Sequence, residues 1–155
     1  MRKISIGLTF IALLLACNSD DNAININAQN FLIFGYFYGE CGGEGCVETF
    51  KLTNSALFED TVDDYSGQNF EFVALSNDLF EQVKNLPQFF PTRLLNENET
   101  IIGCPDCADG GGLFILYSQN GNEQSWRIDQ VKSNGPEYLH GFMDKVNEKI
   151  ALINE

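Results

Sequence analysis

The chain holds 155 residues, 44% hydrophobic and 20% charged, with 13 Phe, 5 Tyr and 1 Trp. That is core material for a single domain, and it excludes both a disordered tail and a polytopic membrane protein. Lys and Arg number 9 against 22 Asp and Glu, a net charge of −13, so the cationic surface that phosphate contacts require is missing and nucleic acid is not an expected partner. One His also removes any mechanism or metal site built on a pair of them.

The chain opens with a positive pair, Arg2 and Lys3, followed by an apolar run from Ile4 to Leu15. This run is shorter than the roughly 20 residues of a transmembrane helix and stands where a secretory signal stands. It leads into Leu14-Leu15-Ala16-Cys17. This run resembles the lipobox of bacterial lipoproteins, in which the cysteine thiol is diacylglycerylated, the chain is cut before it and the new amine is acylated, with chains such as palmitate. Two or more acyl chains anchor durably where one binds only marginally, so the resemblance implies the lipid bilayer as a partner through Cys17. Residues 1–16 are expected to be the signal peptide, and their removal takes Arg2 and Lys3 and moves the charge from −13 to −15. Residues 17–30 have too little apolar surface to fold and are expected to be a lipid-anchored flexible tether. Their Ser19-Asp20-Asp21 is similar to the acidic export signal of surface lipoproteins of the Bacteroidetes. The resemblance implies an outer-membrane or cell-surface location, with the periplasmic face of a membrane as the alternative.

Residues 31–155 are expected to form one α+β domain. Phe31 to Tyr38 is dense enough in aromatic and branched residues for a buried strand, and Val47 to Leu52 splits into two faces; with Gly42 to Gly45 between them they read as a hairpin. Phe70 to Ala74 alternates like another strand. Asp78 with Glu81 suggests a capping box for a short helix carrying Leu79, Val83 and Leu86 and ending at Pro87. Leu113 to Tyr117 and Ser125 to Gln130 flank Asn120-Gly121, a strong hairpin signal. Pro136 suits a first helical position, and Leu139, Phe142, Met143, Val146, Ile150 and Ile153 fall on one arc of about 100°. Antiparallel hairpins forming a sheet, packed against this C-terminal amphipathic helix and the short middle helix, give the α+β class.

Four cysteines remain beyond Cys17: Cys41, Cys46, Cys104 and Cys107. An even number in an exported chain points to disulfides, with three connectivities open. Local pairing is favoured by geometry, since a four-residue loop would set Cys41 opposite Cys46. The alternatives are a zinc site holding all four thiolates and thiol–disulfide exchange at Cys104 and Cys107. Zinc needs the two pairs to converge; exchange needs a lowered thiol pKa, which Asp106 and Asp109 oppose. No cofactor is otherwise expected.

Other constellations are weaker. Glu59, Asp60, Asp63 and Asp64 offer oxygen ligands for calcium but lack the EF-hand spacing, so a solvated acidic loop is the simpler reading. Asp60-Thr61-Val62 is similar to a short O-glycosylation motif of exported Bacteroidetes proteins. His140 falls off the apolar arc and is expected to be exposed. Tyr36, Tyr38 and Trp126 are candidates for a ligand groove or for core positions.

Tyr38-Gly39-Glu40-Cys41 through Leu52, the Cys104–Gly112 segment, the Asn-Gly hairpin and the terminal helix together resemble a group of small Bacteroidetes lipoproteins. The resemblance implies a compartment and a compact domain and assigns no catalytic residue. The expected function is a lipid-anchored, non-catalytic binding or interaction module, steered by its charge toward a cationic protein or ligand.

Overall fold

The structure, a computed structural model, describes residues 23–41 and 45–155. The signal peptide, the lipobox, Cys17, the Ser-Asp-Asp motif and the first part of the expected tether lie outside these residues.

The fold is α+β. A seven-stranded sheet in the order β4-β3-β2-β1-β6-β7-β5 is built from β1 (Phe31–Phe37), β2 (Val47–Leu52), β3 (Leu57–Asp60), β4 (Phe72–Ala74), β5 (Ile101–Ile102), β6 (Gly112–Gln119) and β7 (Asn122–Asp129). All neighbours are antiparallel except β5, which runs parallel to β7. Helices α1 (Asn77–Val83) and α2 (His140–Ile153) cover one face.

Strand β1 sits at the centre and is apolar on both faces. Leu32 and Phe34 point to the helical side, where they meet Phe50, Leu52, Ile115 and Tyr117 from the neighbouring strands. On the other side Ile33 and Phe37 join Val47, Phe114 and Leu116, with Phe31, Phe70 and Phe72 packed against them. The first cluster is closed by Leu139, Phe142, Met143, Val146 and Ile150 of the C-terminal segment. These are the residues of the predicted arc, with Ile153 packed at the margin. No helix among the described residues is long and apolar enough to cross a membrane.

The Asn120-Gly121 hairpin forms as read: both residues have positive φ, 52° and 82°, and Gln119 pairs with Asn122. Primed turns of this kind match the twist of the flanking strands. The middle helix differs in its cap. Ser76, not Asp78, caps it, its Oγ accepting from Leu79 N at 3.3 Å, while Glu81 pairs with Lys84 at 2.5 Å instead of closing a capping box. Pro136 caps a short 3-10 turn, Glu137–Leu139, that precedes α2 rather than opening the α-helix itself. Phe70 lies outside the strand, which covers only Phe72–Ala74.

The polar stretch before β1 is packed over its described part. Ile24 is 9% exposed and donates its N–H to Pro87 O at 3.2 Å. Asn30, 4% exposed, donates from its amide to Asn25 O at 2.9 Å and accepts from Asn120 N at 3.0 Å. Ile24, Ile26 packed beside it on the helical-side core and the Asn30 amide are enough to dock a segment whose composition is otherwise that of a tether.

Phe90 marks the centre of the helical-side core. It is fully buried, with ring centroids of Phe142, Tyr117 and Trp126 at 5.3, 5.7 and 6.2 Å. Phe90→Ala should cost roughly 3–5 kcal/mol of stability, and Phe89→Ala, at a 37% exposed site, less than about 1 kcal/mol. Urea unfolding of the two variants tests this; equal losses would contradict the core assignment.

Candidate functional site

Strands β1, β3 and β7 end where β2 and β6 begin. The connections 38–46, 61–71 and 103–111 therefore emerge at one end of the sheet. Both cysteine pairs, most of the strained backbone and several carboxylates that accept loop hydrogen bonds are gathered there.

The cysteines stand as two local pairs at disulfide distance, Cys41–Cys46 and Cys104–Cys107, with Cα separations of 5.6 and 5.5 Å. The pairing agrees with local closure, but the register does not. The β1–β2 ladder ends at Phe37 opposite Val47, with Tyr38 N donating to Cys46 O at 2.8 Å, so Cys41 lies in the loop rather than opposite its partner. The cause is Gly39, which packs flat on the Asp106 carboxylate: a Cβ there would stand 2.1 Å from Asp106 Oδ2. As disulfides the four sulfurs supply no thiolate for zinc. No group of three or more His, Cys, Asp or Glu among the described residues is placed to hold a metal ion.

Asp106 ties three connections together. One of its oxygens accepts from Tyr65 Oη at 2.9 Å and the other from Gly111 N at 3.2 Å. The Gly39 amide, with Tyr65 and Gly111, holds its carboxyl below the usual carboxylate range against some burial. Tyr65 is fixed in turn by Arg127. The guanidinium lies between the rings of Phe37 and Tyr65, at 3.6 and 4.6 Å, and donates to Tyr65 O at 2.8 Å. Such stacking suits a planar, weakly hydrated cation. Gly111 closes the loop: its φ is +66° and Tyr38's ring would be 2.3 Å from a Cβ, so only glycine fits.

A second carboxylate anchors the start of the same loop. Asp129, 5% exposed, accepts from Cys104 N at 3.0 Å, Val131 N at 2.8 Å and Asn134 Nδ2 at 2.7 Å. Burial works against its charged form, but these bonds outweigh it and keep its pKa below the ordinary value.

The 61–71 connection is a strap over the second face of the sheet. Phe70 packs on Phe72 and Phe114, and Gly67 lies against the Phe114 ring, 2.7 Å from where a Cβ would be. Two of the four candidate calcium ligands organise this strap. Asp60 accepts from Val62 N, Asp63 N and Glu71 N. Asp64 accepts from Ser66 and Asn69 through both backbone and side chain, which hold its carboxyl far below the usual range. Thr61, of the Asp-Thr-Val motif, is exposed and donates to Glu71 O at 3.1 Å. Glu48, Glu59, Asp60 and Asp63, with Gly45 and Thr61, line an open hollow of about 350 Å³. Burial, then the charges of Glu48 and Asp63, raise the Glu59 pKa. Tyr36 beside it is pushed up to about 12 by burial and by Glu48. Glu48 also accepts from Asn154 at the C-cap of α2, at 2.6 Å, so the hollow lies beside the negative end of that helix dipole.

The other sequence candidates separate. Trp126 is 2% exposed in the helical-side core, while Tyr36 and Tyr38 sit ring to ring at 5.6 Å near the loops, so the three form no common groove. His140 is half-buried rather than exposed, its Nε2 2.8 Å from Lys132 O. Tyr65, Arg127, Asp129 and Glu48 were not marked by any motif; Asp129 two residues before Val131 is an Asx-turn pattern that only the structure makes visible as an anchor. No protein family matches the chain, and no curated protein sequence matches it.

The lowered pKa of Asp129 fixes the sign of a pH effect. The folded state takes up its proton less readily than the unfolded chain, so the stabilisation is full above the unfolded value of about 3.9 and is lost as the pH falls through and below it. Asp129→Ala should cost roughly 1–3 kcal/mol at pH 7, with the deficit shrinking toward pH 3. Urea midpoints of wild type and variant across that range measure it, and a deficit independent of pH would rule out the charged carboxylate as the cause.

Proposed function

We propose that the protein is an exported lipoprotein, held by acylated Cys17 at the outer membrane or cell surface, and that its domain is a non-catalytic binding module for a cationic protein or ligand. The membrane part rests on the sequence: the positive n-region, the short apolar run and the Leu-Leu-Ala-Cys lipobox. The two disulfide-distance pairs support an oxidising compartment. The observation that carries the binding part is the acidic hollow. Burial first, and then the like charges of Glu48 and Asp63, raise the Glu59 pKa, and a cation seated among the three carboxylates offsets the repulsive part. The surrounding loops are tied by disulfides and by Asp106, which supports recognition by a preorganised surface.

A lysine-rich peptide titrated onto the soluble domain should bind more weakly as salt rises. Glu48→Gln and Glu59→Gln should each lower its affinity about threefold, ~0.7 kcal/mol, and Glu123→Gln, on the far hairpin, should not. Binding that ignores both salt and these substitutions would overturn the cationic-partner reading. For the anchor, Cys17→Ala should abolish acylation and leave the precursor uncut; an unmodified Cys17 in mass spectra of the wild-type N terminus refutes it. Alkylation of the non-reduced domain should find Cys41, Cys46, Cys104 and Cys107 blocked, whereas four free thiols with one equivalent of zinc would replace the disulfide reading with the metal one.

A further inference from the structure

We propose that the Cys104–Cys107 bridge is a redox latch, opened by an external dithiol while Cys41–Cys46 stays closed, and that opening it releases the 103–111 loop from Gly39 and Tyr65. This goes beyond the binding reading and does not depend on it. Access differs between the bridges. Cys104 and Cys107 are both exposed, whereas in the other bridge only Cys41 is, Cys46 being 9% exposed with its carbonyl held in the ladder by Tyr38 N.

The backbone differs too. Within nine residues of the loop, φ is positive at Gly103, Asp106, Ala108, Asp109 and Gly111. At Ala108 and Asp109, with φ of 53° and 58°, the Cβ crowds the following carbonyl. The bonds between Asp106 and Gly111, N to O at 2.8 Å one way and N to Oδ1 at 3.2 Å the other, hold them there, and the bridge, spanning a sequence separation of 3, fixes Asp106 in turn. Opening the ring lets these residues relax, so the loop strain favours the dithiol and makes this the more easily reduced bridge. Asp106 lies between the two cysteines, so the position of its carboxylate, and its bonds to Tyr65 and Gly111, depend on the closed ring.

The exchange balances as follows. A thiolate of the reductant attacks one of the two sulfurs, forming a mixed disulfide and breaking the Cys104–Cys107 bond. The other cysteine leaves as a thiolate and takes a proton from water. The second thiol of the reductant then displaces the protein, which gains two electrons and two protons as the reductant becomes a disulfide.

The mature protein, equilibrated in dithiothreitol buffers of rising reduced-to-oxidised ratio, then acid-quenched, alkylated and mapped by mass spectrometry, tests the latch. Cys104 and Cys107 should be half-reduced at a ratio at least about tenfold lower than Cys41 and Cys46. At that point hydrogen exchange at the Gly39 and Gly111 amides should rise about tenfold while β1 and β6 stay protected. Ala108→Gly, which removes one strained Cβ, should move the half-reduction point of the same bridge about threefold toward more reducing buffer. Simultaneous reduction of both bridges, unchanged protection at Gly39 and Gly111, or no shift in Ala108→Gly would each overturn the proposal.

Discussion

The central strand has no polar face, and the rest of the architecture answers that constraint. Along β1 the side chains alternate between two sides of the sheet, yet Leu32 and Phe34 on one side and Ile33 and Phe37 on the other are all buried. An antiparallel sheet ordinarily leaves one face to water. Here neither face can be left, so two covers are needed. Helix α2 supplies the first with its apolar stripe. The second must come from the β3–β4 connection, because no helix is available on that side among the described residues.

A strap without regular structure has no ladder to satisfy its backbone, and buried N–H groups left unpaired are costly. Carboxylates take the place of the ladder. Asp60 and Asp64 accept most of the strap's own amides, and Asp106 receives Tyr65 from across the sheet. Arg127 clamps the tip of the strap by stacking between Phe37 and Tyr65, at the expense of Nη2, which is buried without a hydrogen-bond partner. The acidic composition of this protein is thus partly structural: four aspartates act as local hydrogen-bond acceptors that a helix or strand would otherwise provide.

What was legible in the sequence is what local pattern decides. The aromatic run of β1, the Asn-Gly turn and the arc on α2 each carry their own period or turn chemistry, and each forms within a residue or a few of its expected bounds. Strand β3, Leu57–Asp60, has no alternation to show, since Phe58 and Glu59 fall side by side in a four-residue strand, and β5 has two residues. The cysteine pairs follow from spacing. The register around Cys41 does not, because it is set by Gly39 meeting Asp106, a contact across 67 positions of chain that no local pattern encodes. The packed segment before β1 escaped for the same reason: Ile24 and Asn30 find their partners at Pro87 and Asn120.

The topology also sets which end of the domain is presented. The described chain comes in beside the Asn120-Gly121 turn, through Asn30, and β1 then carries it seven residues, about 23 Å at 3.3 Å per residue, to the loop end. The described N-terminal segment therefore joins the sheet at the end opposite both cysteine pairs and the acidic hollow. Charge acts differently at the two ranges involved. Asp64 is held by donors of its own loop, and Asp106 and Asp129 by donors of neighbouring connections as well, so they add to the long-range field without being free to swing out to a ligand. Glu48 and Glu59 line the hollow itself. For the cationic partner proposed above, steering would come from the whole acidic domain and contact from the hollow beside the C-terminus of α2, so substitutions there should act on the dissociation rate while added salt acts first on the association rate.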